Sequence, residues 1–296
     1  MKVTKMIGAT IFVVVNLLSN VVMAESSVWK ISKGDSYFYL GGTIHLLSEK
    51  DHPLPPEFEE AYQDANKMVF ETDVIETQTV QFQAKMMKVM TYGDKRTLSD
   101  ELSPTVYRKL SVFMSDRHMP ISHYAKFQPW AVSLIITLGE YQRIGLKQEF
   151  GVDAFFNHRA ILDKKEIVGL ETADEQLRFL SSLKNVDPNI TIDYTLSELH
   201  ALPEVIHLMK KNWRSGDVNA IENSDDVQRM KNEFPEVYNT LLTKRNNNWM
   251  KILPTFSKDK SKEFVLVGAM HLTGEDGLLK QLKARGFNVE QLKSTH

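Results

Sequence analysis

Cysteine is absent from the chain. That excludes disulfide staples, a thiol nucleophile and every thiolate metal ligand, so any bound metal must rest on His, Asp, Glu or neutral oxygen. A chain of this length does not need disulfides, because it buries enough core without them. An excess of positive charge is also missing. Thirty-six Lys and Arg stand against 38 Asp and Glu, a formal charge of −2, without the concentrated basic patch that marks a nucleic-acid partner. No Gly/Ser or Pro tract divides the chain, which points to one domain. No HExxH spacing occurs, and His118, His123, His200 and His207 lie outside any ligand pattern.

What is present begins with a targeting segment. Lys2 and Lys5 precede the apolar run "MIGATIFVVVNLLSNVV", and "VMA" stands before Glu25. This is the pattern of a secretory signal, with residues 1–24 cut off after Ala24 and 25–296 forming the mature domain. The rival reading is a retained membrane anchor, but the run is short for a span and contains Asn16, Ser19 and Asn20. Export and the lack of thiols together suggest a bacterial periplasmic or secreted protein with no stable membrane span after cleavage.

Strand and helix patterns then alternate. "SVWKISKGDSYFYLGGTIHLL" reads as two strands around a Lys-Gly-Asp turn, and "LPPEFEEAYQDAN" as a helix leading into the buried strand "KMVFETD". Residues 76–147 are helical in pattern, with Ser103 and Pro104 marking one start and Gly145 one stop. "GVDAFFNHRAILDKKEIVGLET" is a helix running into a strand, and 173–253 is a second helical region. "KEFVLVGAMHL" is strand, "GEDGLLKQLKARG" helix and "FNVEQLK" a last strand. The expected class is α/β, a central mixed β-sheet with helical insertions.

Two stretches echo each other. "FYLGGTIHL" at 38–46 and "FVLVGAMHL" at 264–272 align Gly42 with Gly268 and His45 with His271. Each histidine follows an apolar strand at its C-terminal end, the edge where α/β proteins bind ligands. In "MVFETD", Glu71 interrupts an apolar run and is costly there unless paired or bound; Asp73 also fits an exposed strand end. Two neutral imidazoles and a carboxylate form a common catalytic metal set. The alternative makes each histidine a satisfied polar residue at a strand end. Glu171, in "VGLETADEQ", is either a base or partner at a strand end or part of an ordinary helix start. Arg245 and Asn246, in "KRNNNWM", offer an oxyanion or carboxylate partner, or simply a surface arginine.

These stretches, with "LPPEFEEAYQDANKMVFETD", "GVDAFFNHRAILDKKEIVGLETADEQ" and "RNNNW", resemble the TraB/GumN family, which is related to the Tiki metalloproteases. The resemblance runs from about residue 28 to 293. It implies that the family's two Gly-x-x-His motifs and its Glu fall on His45, His271 and Glu71, its Arg-Asn on Arg245 and Asn246, and its Leu-Glu-Thr on Glu171. It further implies a divalent-metal hydrolase (Mn, Co or Zn), Tiki-like in cutting peptides. Peptides or small molecules are then the substrates. Two other functions stay open at this point: an esterase-like hydrolase of non-peptide bonds, and a module that sequesters a peptide or a haem-like ligand without turnover.

Overall fold

The computed structural model describes residues 24–256, 258 and 261–294. The expected signal segment therefore lies almost wholly outside the described residues. Six strands form one sheet: β1 (Ala24–Lys33), β2 (Ser36–Thr43), β3 (Lys67–Thr72), β4 (Glu166–Glu171), β5 (Glu263–Gly268) and β6 (Asn288–Ser294), in the order β4-β3-β5-β2-β1-β6. β4, β3, β5 and β2 are mutually parallel, while β1 is antiparallel to β2 and to β6. The sheet is mixed and the class is α/β, as the alternation of patterns requires. Parallel strands need crossovers, and the helical insertions supply them.

Side-chain alternation along the central strands fills two separate cores. Val69, Val265, Val267, Phe38 and Leu40 pack on one face with Trp249, Leu253 and the helix Leu278–Ala284. Met68, Phe70, Phe264 and Leu266 pack on the other with Phe58, Tyr62, Val152 and Phe156, from the helices Pro56–Asp64 and Val152–Leu162. Phe58, Tyr62 and Phe264 are fully buried. Each contributes about 1.5–3 kcal/mol by removal from water. A third core lies within the helical insertions, among Leu98, Leu110, Val132, Ile136, Leu196 and Leu199. The long helix Pro188–Arg214 joins that layer to the sheet through Trp213. The indole Nε1 of Trp213 donates to the Gly42 carbonyl at 2.7 Å, and Ser27 Oγ donates to the Trp213 carbonyl at 2.6 Å. Among the described residues no helix is long and apolar enough to cross a membrane.

Local punctuation follows the sequence. Ser103 accepts from the Val106 N–H, and Gly145 and Gly286 end helices with φ of +84° and +79°. The strand expected over "KEFVLVGAMHL" stops at Gly268, and Ala269–Leu272 is a 3₁₀ turn. A strand continued to His271 would carry the imidazole past the sheet edge; the turn folds it back over the end of β5.

The repeated motif holds a difference from the sequence reading. Alignment of the two stretches matches Phe38 with Phe264, yet the parallel ladder pairs Tyr39 with Phe264 and Thr43 with Gly268. The ladder is offset by one residue from the echo. A one-residue offset sends equivalent side chains to opposite faces. Phe38 and Leu40 accordingly enter one core, and Phe264 and Leu266 the other. The two motifs are thus related by rotation about an axis along the strands, not by translation across the sheet.

Candidate active site

The four parallel strands end together. Glu71 is the penultimate residue of β3, Glu171 the last of β4, His45 lies two residues beyond β2, and His271 three beyond β5. Because β2, β5 and β3 are neighbours, one sheet edge brings His45, His271 and Glu71 together. Gly268 sits at their centre. A Cβ placed there would lie 3.3 Å from Glu71 Oε1, 3.5 Å from His45 Nε2 and 3.6 Å from His271 Cδ2. Glycine leaves that space open. Its N–H donates to Glu71 Oε1 at 2.7 Å.

Each imidazole is held from behind, and from opposite faces of the sheet. His45 Nδ1 is 2.7 Å from Asp153 Oδ2, and Thr43 Oγ1 donates to Asp153 Oδ1 at 3.0 Å. Asp153 lies in the first turn of the helix Val152–Leu162. That helix approaches closely at Gly151, where a Cβ would fall 2.1 Å from the His45 carbonyl oxygen. His271 Nδ1 is 2.7 Å from Asn246 Oδ1. Asn246 Nδ2 donates to the His271 and Asp276 carbonyls at 3.1 and 2.9 Å, so its oxygen must face the ring. Nδ1 of His271 then carries the proton, and Nε2 presents a lone pair to the site. Trp249 packs beneath that ring at a centroid distance of 4.4 Å.

Arg245 closes the cluster. Its side chain is 9% exposed. Nε donates to Glu171 Oε2 at 3.1 Å, and Nη2 to Glu171 Oε1 at 2.5 Å and Glu71 Oε2 at 2.6 Å. Nη1 faces His271 Nε2 at 3.2 Å and the Leu241 carbonyl at 3.5 Å. All five guanidinium N–H groups are therefore directed at protein acceptors. Arg245 ties the ends of β3 and β4 to the strand-end histidine.

The electrostatics separate the titrating groups. Burial pushes Glu71 up, but Arg245, the two histidines and the Gly268 N–H outweigh it and hold the carboxyl well below the usual carboxylate range. Burial raises Glu171, against the pull of Arg245. Burial, with Arg245 and His45 beside it, lowers His271 to about 3. The Asp153 carboxylate raises His45 to about 9, against burial. The His45 side chain is 58% exposed, so solvent screens part of that pull. The two imidazoles thus differ: burial disfavours the charged form of His271, and Asp153 favours that of His45.

Do these residues suit a divalent ion? The donor types do: two nitrogens and a carboxylate, each braced from behind. His271 Nε2 and Glu71 Oε1 stand 3.7 Å apart, a span that one ion with bonds of about 2 Å bridges. The closed arrangement of a metal centre is not formed, however. Among the described residues no group of three or more His, Cys, Asp or Glu is set to hold an ion. Arg245 faces His271 Nε2 and takes Glu71 Oε2.

All six residues expected from sequence, His45, Glu71, Glu171, Arg245, Asn246 and His271, lie in this one constellation. Asp73 does not: it caps the helix Val74–Thr77, accepting from the N–H groups of Ile75 and Glu76. Sequence reading missed Asp153, Thr43 and Gly151. An Asp in the first turn of a helix reads as an ordinary dipole partner, and only its contact with His45 distinguishes it.

Comparison with known proteins places the chain. It is 24% identical over 250 residues to the Uncharacterized protein YbaP of Escherichia coli (strain K12), covering 84% of this chain and 89% of that protein. The Shigella flexneri protein of the same name is 23% identical over the same shares. Metalloprotease TIKI2 of Xenopus tropicalis is 22% identical over 302 residues, covering 85% of this chain and 57% of TIKI2. No solved structure matches the chain. The profile of the TraB/PrgY/gumN family matches residues 27–291, nearly every described residue and both strand-end histidines, so the chain belongs to the TraB/PrgY/gumN family.

Proposed function

We propose that the protein is an exported metal-dependent hydrolase that cuts peptide bonds, with His45, His271 and Glu71 holding a divalent ion such as Mn, Co or Zn. The observation that carries this is the convergence of the three side chains around Gly268, each histidine braced at its remote nitrogen. Relation to a protein named a metalloprotease supports the peptide bond as substrate. When bound, such an ion lowers the pKa of water and polarises a carbonyl.

The chain's own residues supply the rest. Glu71, kept ionised by its surroundings, is an acceptor at neutral pH for a proton or a cation. Asp153 fixes the ring of His45 so that Nε2 faces the gap. Asn246 fixes the tautomer of His271. Arg245 and Glu171 hold Glu71 in place from the side away from Gly268. His45 is the exposed member and His271 the buried one, so substrate approaches from the His45 side.

The test is metal-stripped protein reloaded with Mn²⁺, Co²⁺ or Zn²⁺ and assayed on a peptide library. Activity should appear with one of these ions, vanish with chelator, and be lost in His45→Ala and His271→Ala. Hydrolysis of peptides that chelator leaves untouched would overturn the metal assignment.

A second reading has its own observation. Arg245 already supplies a cation to His271 and Glu71, while His45–Asp153 has the geometry of a base and its orienting carboxylate. An esterase-like hydrolase built on that pair would work with chelator present, its rate rising toward alkaline pH as His45 loses its proton. Ligand capture through both imidazoles is disfavoured, because His271 is only 4% exposed.

A further inference from the structure

Arg245 stands where a metal ion would compete for donors. Its Nη1 faces the lone pair of His271 Nε2 at 3.2 Å, and its Nη2 holds Glu71 Oε2 at 2.6 Å. We propose that Arg245 is a resident counter-cation: it occupies His271 and Glu71 in the metal-free protein and sets their affinity for a divalent ion by competing with it. This rests on the metal-hydrolase reading above.

Three features support the idea. First, the guanidinium is buried and fully hydrogen-bonded, so its place is built rather than incidental. Second, Glu171 gives it an independent anchor through Nε and Nη2. Arg245 can therefore release Glu71 and His271 without becoming an unpaired buried charge, which would be prohibitive. Third, Asn246 is the next residue on the same helix, Lys244–Trp249. One turn of helix thus presents both the group that orients His271 and the group that competes for it.

The physical logic is charge. Without Arg245, Glu71 Oε2 and the lone pair of His271 Nε2 would be buried acceptors that lose the donor each now faces. A guanidinium satisfies both. Donors held by the guanidinium would be less available to a divalent ion, and Arg245 would have to draw back onto Glu171 to free them. The site then binds metal more weakly than its donor set alone would, and loading depends on metal supply.

The experiment measures Mn²⁺ binding to the metal-stripped chain by calorimetry, with Trp249 fluorescence as a second readout because that ring lies against His271. Arg245→Gln should bind Mn²⁺ at least tenfold more tightly than wild type. Arg245→Lys should stay within about threefold of wild type, since the ammonium still competes by charge. The double variant Arg245→Gln/Glu171→Gln removes one charge of each sign, so Glu171 is not left as an unpaired carboxylate, while Glu71 keeps the Gly268 N–H. It should also bind at least tenfold more tightly, which separates vacated donors from a change in net charge. It decides the matter if Arg245→Gln alone fails to fold. Wild type binding Mn²⁺ while the folded double variant binds equally or more weakly would overturn the proposal, and Arg245 would be a support for Glu71. No binding of Mn²⁺, Co²⁺ or Zn²⁺ by wild type or any variant would overturn the metal reading itself, and the proposal with it.

Discussion

Replacing Gly268 by Ala tests the site without touching a side chain that holds it. The backbone there has φ −50° and ψ 135°, values any L-residue adopts, so the methyl brings no strain. A Gly→Ala change at such a position stabilises by about 0.4–1 kcal/mol through the unfolded chain. Against that stands one tight contact, 3.3 Å to Glu71 Oε1, and two ordinary ones, 3.5 Å to His45 Nε2 and 3.6 Å to His271 Cδ2. The net effect on stability should lie within about 1 kcal/mol, a few degrees in melting temperature for a chain of this size. Function should respond differently. The methyl fills the space on which all three donors converge, leaving an ion or a water molecule crowded from the Gly268 side. Mn²⁺ affinity and peptide turnover should each fall about a hundredfold, equivalent to about 2.7 kcal/mol. Calorimetric titration, a thermal melt and a rate on one peptide suffice. A variant with wild-type stability, metal affinity and rate would show that the chemistry does not occur at this convergence point. A large fall in melting temperature would instead refute the reading of the local backbone.

His45→Ala and His271→Ala should each remove most bound metal, measured by elemental analysis. They should differ in stability: losing exposed His45 removes only the solvent-screened Asp153 pair, about 0–1 kcal/mol, whereas removing buried His271 opens a void against Trp249 and strands Asn246 Oδ1, costing about 1–3 kcal/mol. Asp153→Asn should bring the His45 titration, followed by NMR on metal-free protein, from about 9 back toward its ordinary value of about 6.5; a midpoint unmoved from about 9 would mean that another group raises it. Stability of the metal-free protein should pass through a maximum near pH 6–7. The raised His45 stabilises fully below its unfolded pKa and loses that contribution as pH climbs toward about 9, while the lowered His271 costs stability as pH falls from about 6.5 toward 3. Melts across pH 4–10 with a fall on neither side would contradict both assignments.

Much was legible before any coordinate was known. Strand periodicity in "FYLGG", "MVFET" and "FVLVG", with helix punctuation at Ser103, Gly145 and Gly286, gave the α/β class, because these signals live within a few residues of chain. The six residues of the constellation were also legible: strand-end histidines, a carboxylate inside an apolar run and a carboxylate at another strand end carry local chemical oddity, and resemblance to a family added Arg245-Asn246, which otherwise reads as a surface pair, and fixed which of them belong together. Tertiary structure alone decided how they face. The echo predicted two equivalent histidines, but a one-residue offset in the ladder between β2 and β5 sends the repeats to opposite faces. His45 is consequently braced by Asp153 from one helical layer and His271 by Asn246 from the other. Arg245 looked like a donor awaiting an oxyanion, and its five N–H groups turned out to be directed at Glu71, Glu171, His271 and Leu241. Asp153 is separated from His45 by 108 residues, and Arg245 from Glu71 by 174. Periodicity reports which face of its own element a residue occupies; which partner waits on that face is set by packing between elements far apart in the chain, where a local pattern carries no signal.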